Sequence, residues 1–112
     1  MELSLFKIGG ITGTTYIAAK DMERAIIGYE LKLKDTVHNI ELVDIATILT
    51  TKSLFRLFSI ELSFADMGTD TTSLKKYVAA ENIGQVAAAF PAAEKIKEYA
   101  TEHDFLVVNS VN

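Results

Sequence analysis

The sequence contains no cysteine, a single proline, and no long apolar run or run of basic residues. Without cysteine there is no disulfide, no thiol nucleophile and no Cys-ligated zinc or iron–sulfur centre. No stretch approaches the roughly 18–20 consecutive apolar residues of a membrane-spanning helix. The opening Met1-Glu2-Leu3-Ser4 has neither the basic nor the apolar region of a signal peptide. A cytoplasmic protein with no membrane partner is expected.

Cationic charge is also scarce. Residues 1–56 hold seven Lys/Arg and seven Asp/Glu, whereas residues 57–112 hold four against eight, so the second half carries the whole net charge of −4. Non-specific nucleic-acid binding depends on Lys/Arg neutralising phosphates, so nucleic acid is not an expected partner. What is abundant is apolar residue: 49% of 112 positions, enough for a core and against disorder. One domain spanning 1–112 is expected.

The chain repeats itself. Tyr16-Ile17-Ala18-Ala19-Lys20-Asp21 matches Tyr77-Val78-Ala79-Ala80-Glu81-Asn82 at an offset of 61. Upstream, Leu5-Phe6-Lys7-Ile8 matches Leu57-Phe58-Ser59-Ile60 at 52; downstream, His38-Asn39-Ile40 matches His103-Asp104-Phe105 at 65. Three ordered matches whose spacing changes only between elements indicate a duplication with insertions in loops, and place the boundary near Thr50/Thr51 (copies of about 1–50 and 51–112).

Each copy reads as strand, strand, helix, strand. In the first, Leu3 to Ile8 and Thr14 to Ala18 are strands around the turn Gly9-Gly10-Ile11-Thr12-Gly13. Asp21 is the N-cap of a helix with Met22, Ala25, Ile26, Tyr29 and Leu33 on one face, and Ile40 to Leu49 returns as a strand. In the second, Leu54 to Phe64 is a long strand and residues 65–72 a polar loop. Ser73 to Ala79 is a strand, and Asn82 with Gln85 forms a capping box. Ile83, Val86, Ala87 and Phe90 make the helix face. Pro91 ends that helix or starts another carrying Ala93, Ile96 and Tyr99; Phe105 to Val111 is the last strand. The expected fold is α+β: a tandem pseudo-two-fold ββαβ repeat forming mixed sheet with two helices packed on it, Ile26 and Phe90 being nearly fully buried. One six-stranded sheet and two three-stranded sheets both fit the pattern.

Candidate chemistry is sparse. His38 and His103 hold matching places, but no metal or proton-relay spacing accompanies them, so a helix C-terminal role is favoured. The glycine-rich turn joins two strands, whereas a phosphate loop leads into a helix. Asp66, Thr69 and Asp70 lie in the longest irregular stretch; they lack the calcium-loop pattern and are candidates for a contact loop. Tyr16 and Tyr77, the latter beside Lys75 and Lys76, are of a type that stacks on bases, although aromatic residues on strands are ordinary sheet packing. No serine has a nucleophile-elbow context, and no carboxylate pair stands out. No enzymatic activity, metal or cofactor is expected.

The Tyr-Ile/Val-Ala-Ala-x-Asp/Asn turn, followed in the first copy by Ile40-Glu41-Leu42, resembles small bacteriophage and mobile-element proteins of uncharacterised activity. The resemblance implies an origin, with placement in the host cytoplasm or a virion, and no activity. The functional expectation is a protein–protein interaction or assembly protein. It would be a homo-oligomer or part of a larger assembly, as a phage-encoded accessory or structural protein, with the strand Leu54–Phe64 offering its edge. The alternative is a small-molecule or nucleotide-binding protein with its pocket between the two copies.

Overall fold

The computed structural model describes residues 1–49, 55–65, 71–101 and 103–108. Strand β1 (Glu2–Gly10) turns through Ile11 and Thr12 into β2 (Gly13–Ala19), where Gly13 takes a positive φ of 130°. Helix α1 (Met22–Leu33) and strand β3 (Asn39–Ile48) follow. Next come β4 (Arg56–Ala65), β5 (Thr71–Ala80), helix α2 (Ile83–Ala89), β6 (Lys95–Ala100) and β7 (Phe105–Val108). The described strands form one mixed seven-stranded sheet in the order β6-β4-β5-β3-β1-β2-β7. The β5/β3 and β2/β7 neighbours are parallel and the others antiparallel. Strands β6 and β7 occupy opposite edges yet are joined by positions 101–104, so the sheet curls until its edges approach.

Curling gives the sheet an inside and an outside, and both are buried. Leu5, Ala18, Ala46, Ile48, Leu57, Tyr77, Ala79, Ala100 and Phe105 fill the inside. On the outside, α1 packs through Ala25 and Tyr29 on Phe6, Ile8, Ile17 and Ala19, while α2 packs through Val86 on Phe58, Ile60, Val78 and Ala80. The Tyr-x-Ala-Ala strings run apolar without alternation because successive residues point to the two buried faces.

Both helix starts form as the sequence predicts. The Asp21 side chain accepts the Arg24 N–H at 2.8 Å, and Asn82 accepts that of Gln85 at 3.0 Å. Gln85 reaches back to the Glu81 N–H at 2.8 Å, one residue earlier than in a standard capping box. Helix α1 ends at Lys34, which adopts the left-handed conformation (φ 52°, ψ 44°) and donates its N–H to Glu30.

Several expectations need correction. Residues 95–100 are strand β6, and no helix carries Ala93, Ile96 and Tyr99. The pairing of β6 with β4 slips between Leu57 and Phe58: Leu57 faces Ala100 and Phe58 faces Glu98, leaving Tyr99 as the extra residue of a bulge. Ile96 packs on the α2 side and Tyr99 on the inside, so their spacing of three is that of a strand with apolar contacts on both faces. The match of His38 with His103 does not hold in the sheet either. His38 precedes β3, which lies on β1, whereas His103 precedes β7, which lies on β2. Strand β4 does not offer an edge over Leu57–Glu61, because β5 and β6 flank it there. Ile26 and Phe90 are only partly buried, and Met22 and Leu33 are exposed. The buried stripe of α1 is narrower than its apolar content: Ala25, Gly28 and Tyr29.

Gly28 sets how closely α1 lies on the sheet. A β-carbon at this position would stand 2.5 Å from a Val108 methyl. Gly28→Val is therefore expected to destabilise by about 1–3 kcal/mol through overpacking. Adding Val108→Ala should recover part of that loss, measured as coupling in a urea-denaturation double-mutant cycle.

Candidate functional site

The two tyrosines singled out in the sequence meet on a third. Tyr16 on β2 and Tyr77 on β5 turn to the inside of the curl, and the β6 bulge brings Tyr99 between them. Its ring lies 5.1 Å from Tyr16 at an interplanar angle of 63°, and 5.2 Å from Tyr77 at 71°, both edge-on. The Lys75 ammonium sits 5.4 Å from the Tyr77 ring centre and 5.6 Å from that of Tyr99. The Tyr16 phenol is pushed up to about 12, first by its hydrogen bond with Tyr99, then by burial and the neighbouring Tyr99, Tyr77 and Glu41. Tyr16 is therefore a neutral hydrogen-bonding phenol at ordinary pH, not a base.

Sheet register places charged residues around these rings. Lys7 lies between Glu41 and Tyr16, Ser59 between Lys97 and Tyr77, and Glu61 between Lys95 and Lys75. Cross-strand neighbours share a face, so all stand on the wall that carries the tyrosines. Lys95 pairs with Glu61 at 3.7 Å. Two open clefts result. One, of about 350 Å³, is lined by Lys7, Thr14, Tyr16, Tyr99, Ala100 and Asp104. The other, of about 280 Å³, is lined by Ser59, Glu61, Lys75, Lys95 and Lys97. Tyr99, Lys7, Lys95 and Lys97 were not singled out by the sequence reading. The alternation Lys95-Ile96-Lys97 was the available signal, since it puts both lysines on one face of a strand.

A second surface lies where β3 and β5 part. They pair over Ala46–Ile48 and Tyr77–Ala79, so among the described residues Asn39–Ile45 has β1 on one side and no strand on the other. The Asp44 carboxylate accepts the Ile45 N–H at 2.8 Å, occupying a donor at the fork. Leu42 and Ile45 on β3 and Leu74 on β5 are 61%, 55% and 46% exposed. A cleft of about 240 Å³ at this fork is lined by Glu2, Asp44, Ile45, Thr47, Leu74, Lys75 and Lys76.

The glycine-rich turn is already occupied by the protein's own anion. One Asp35 oxygen accepts the Tyr29 hydroxyl at 2.7 Å, the Ile11 N–H at 3.1 Å, the Thr12 N–H at 3.4 Å and the Thr12 hydroxyl at 3.3 Å. A side chain at Gly10 would overlap both the Tyr29 hydroxyl and this carboxylate. The turn amides that a phosphate would need are engaged by Asp35. Of the remaining candidates, His38 and His103 are both exposed. His38 donates its backbone N–H to Gly9 at 2.8 Å, and His103 its backbone N–H to Thr101 at 3.3 Å. Asp66, Thr69 and Asp70 lie outside the described residues. Among the described residues, no group of three His, Asp or Glu is placed to hold a metal ion. No helix there is long and apolar enough to cross a membrane. Comparison with protein-family models, curated proteins and solved structures gave no match.

The Asp35 contact generates a pH prediction. The Tyr29 hydroxyl and the Thr36 and Thr12 donors hold the Asp35 carboxyl below its usual range, against the opposing effect of burial. Burial first, and then Asp35, raises the Tyr29 phenol. The Asp35 contribution is present above the unfolded carboxyl pKa of about 3.9 and is lost as pH falls through the folded value. The Tyr29 contribution is complete below about 10 and is lost as pH rises through its folded value. Asp35→Asn should flatten the acid limb of the stability–pH profile. Tyr29→Phe should cost about 1–3 kcal/mol near neutrality and flatten the alkaline limb, both followed by urea denaturation across pH.

Proposed function

We propose that the chain is a tandem duplication of a ββαβ unit that works by association and not by catalysis, pairing with a second copy of itself at the β3/β5 fork. Register supports the duplication. Leu5, Phe6 and Lys7 face Ala18, Ile17 and Tyr16, while Leu57, Phe58 and Ser59 face Ala79, Val78 and Tyr77. Both third-strand ladders slip at the same place, Leu5/Phe6 and Leu57/Phe58. The N-caps share one backbone conformation, φ −153°, ψ 173° at Asp21 and φ −156°, ψ 169° at Asn82. In this reading β6 and β7 together answer to β3. The parallel pairings Ala46↔Tyr77 and Phe105↔Tyr16 are then two instances of one contact between the copies.

The observation that carries association is the fork itself. An unpaired strand edge beside exposed Leu42, Ile45 and Leu74 supplies backbone hydrogen bonds and apolar contact together. A second copy is the occupant because the fork is self-complementary in charge. Glu2 and Asp44 lie on its β1/β3 side and Lys75 and Lys76 on its β5 side. A two-fold axis would set each acidic lip against the other copy's basic lip. Small phage accessory or structural proteins, which the sequence resembles, are a natural setting for such a module.

Light scattering over a concentration series should show a dimer. Ile45→Asp should weaken it at least tenfold. Asp44→Lys should do the same, with recovery on adding Lys76→Glu. His38→Ala with His103→Ala should leave association unchanged, since strand addition needs no imidazole. A monomer at every concentration, or a dimer indifferent to Ile45→Asp, overturns the reading.

A further inference from the structure

The wall that carries the tyrosines has a charge opposite to that of the chain. Residues 57–112 contain four lysines and no arginine against eight acids. Three of those four, Lys75, Lys95 and Lys97, line one cleft, with Glu61 the carboxylate among its described lining residues. Lys7 adds a fourth cation on the same wall, opposed by Glu41 and by Asp104 at the rim of the larger cleft. Clustering cations in the most acidic half of a protein costs repulsion energy, which a bound anion would relieve.

The spacing suits a particular anion. Lys95 and Lys97 are alternate residues on one face of β6, about 6.6 Å apart along the strand, and Lys75 stands two strands away, about 9.5 Å. Long lysine side chains rooted that far apart can bring their ammonium groups together on one extended polyanion, such as a polyphosphate chain. The rings of Tyr77 and Tyr99 begin beside Lys75, with Tyr16 beyond them. The larger cleft takes Lys7, Thr14 and Tyr16 from the first half of the chain and Tyr99, Ala100 and Asp104 from the second. Its volume falls within the range of small-ligand sites.

We infer that this concave wall binds a nucleoside polyphosphate, its phosphates on Lys75, Lys95 and Lys97 and its base against the tyrosine cluster. The Tyr16 and Thr14 hydroxyls and the Asp104 carboxylate are positioned to hydrogen-bond the sugar or base edge. Lys75 also lines the fork cleft, whereas Lys95, Lys97 and the tyrosines do not. Substitutions at Lys95 and Lys97 therefore test this site without touching the fork residues Asp44 and Ile45.

Tyrosine emission provides the readout, because the chain has no tryptophan and three of its four tyrosines stand at the site. The full chain should be titrated with ATP, GTP, inorganic tripolyphosphate, adenosine and a short oligothymidylate, by tyrosine fluorescence and calorimetry. ATP or GTP is expected to bind at least tenfold more tightly than tripolyphosphate, adenosine or oligothymidylate. Lys95→Ala with Lys97→Ala, both exposed positions, should weaken nucleotide binding at least tenfold. Lys20→Ala with Lys34→Ala, away from the wall, should not change it. Tyr99→Leu should weaken ATP more than tripolyphosphate. The inference is overturned by no nucleotide binding at millimolar concentration, or by tripolyphosphate binding as tightly as ATP. Tighter binding of oligothymidylate, or affinity indifferent to the Lys95/Lys97 pair, also overturns it.

Discussion

The fold rests on a length constraint. Seven strands laid flat would separate the outer two by about 29 Å, yet β6 and β7 hold those positions and are joined by residues 101–104. The five virtual bonds from Ala100 to Phe105 span at most about 17–18 Å even when extended. The connection is not extended: the Asp104 N–H closes back on the Thr101 carbonyl at 3.0 Å. The sheet must therefore curl. Curling encloses the interior, makes alanines necessary where two strands approach across it, and turns the rows of Lys7, Ser59 and Glu61 into the wall of a cleft.

Inside that frame, small residues do the spacing and polar residues fix the corners. Ala18, Ala19, Ala79 and Ala80 are all fully buried, two toward the interior and two beneath a helix. Gly28 brings α1 down on Val108, and Gly10 admits the Tyr29–Asp35 contact beneath the β1–β2 turn. That contact ties three segments together: the turn, the end of the first helix and the chain leading to β3. A carboxylate accepting several donors in one place orients all of them, which is why the turn has a defined position relative to the helix.

The strands and both helix starts were legible because each rests on local chemistry: β-branched runs, glycines at a turn, Asp21 and Asn82 ahead of apolar residues. What escaped were features set by pairing between distant segments. Strand β6 was obscured because it has apolar contacts on both faces, Ile96 outside and Tyr99 inside, and their separation of three matches helical spacing. The helix faces were drawn too wide because Met22, Ile83 and Leu33 look apolar in sequence but remain 44%, 55% and 41% exposed. Two of the three tyrosines in the cluster were legible, since Tyr16 and Tyr77 recur at one offset. Tyr99 carried no such signal, because its place in the cluster comes from the β4/β6 register slip. Asp35 carried no local signal at all; its partners at the turn lie 23 and 24 positions earlier.

The parallel pairing of β2 with β7 has a kinetic side. Tyr16 and Phe105 are 89 positions apart, whereas the β1–β2 hairpin closes through two residues. Loop-closure entropy rises with separation, and long-range pairing slows folding. The two hairpins can thus form early, and the interior becomes watertight only when β7 arrives. Until then Ala18, Leu5 and Phe105 face solvent along an unpaired β2, the same chemistry by which strands find partners in other chains. The chain's exposure to misassociation is therefore concentrated in one late step, and its yield on refolding should depend on protein concentration more steeply than its final stability does.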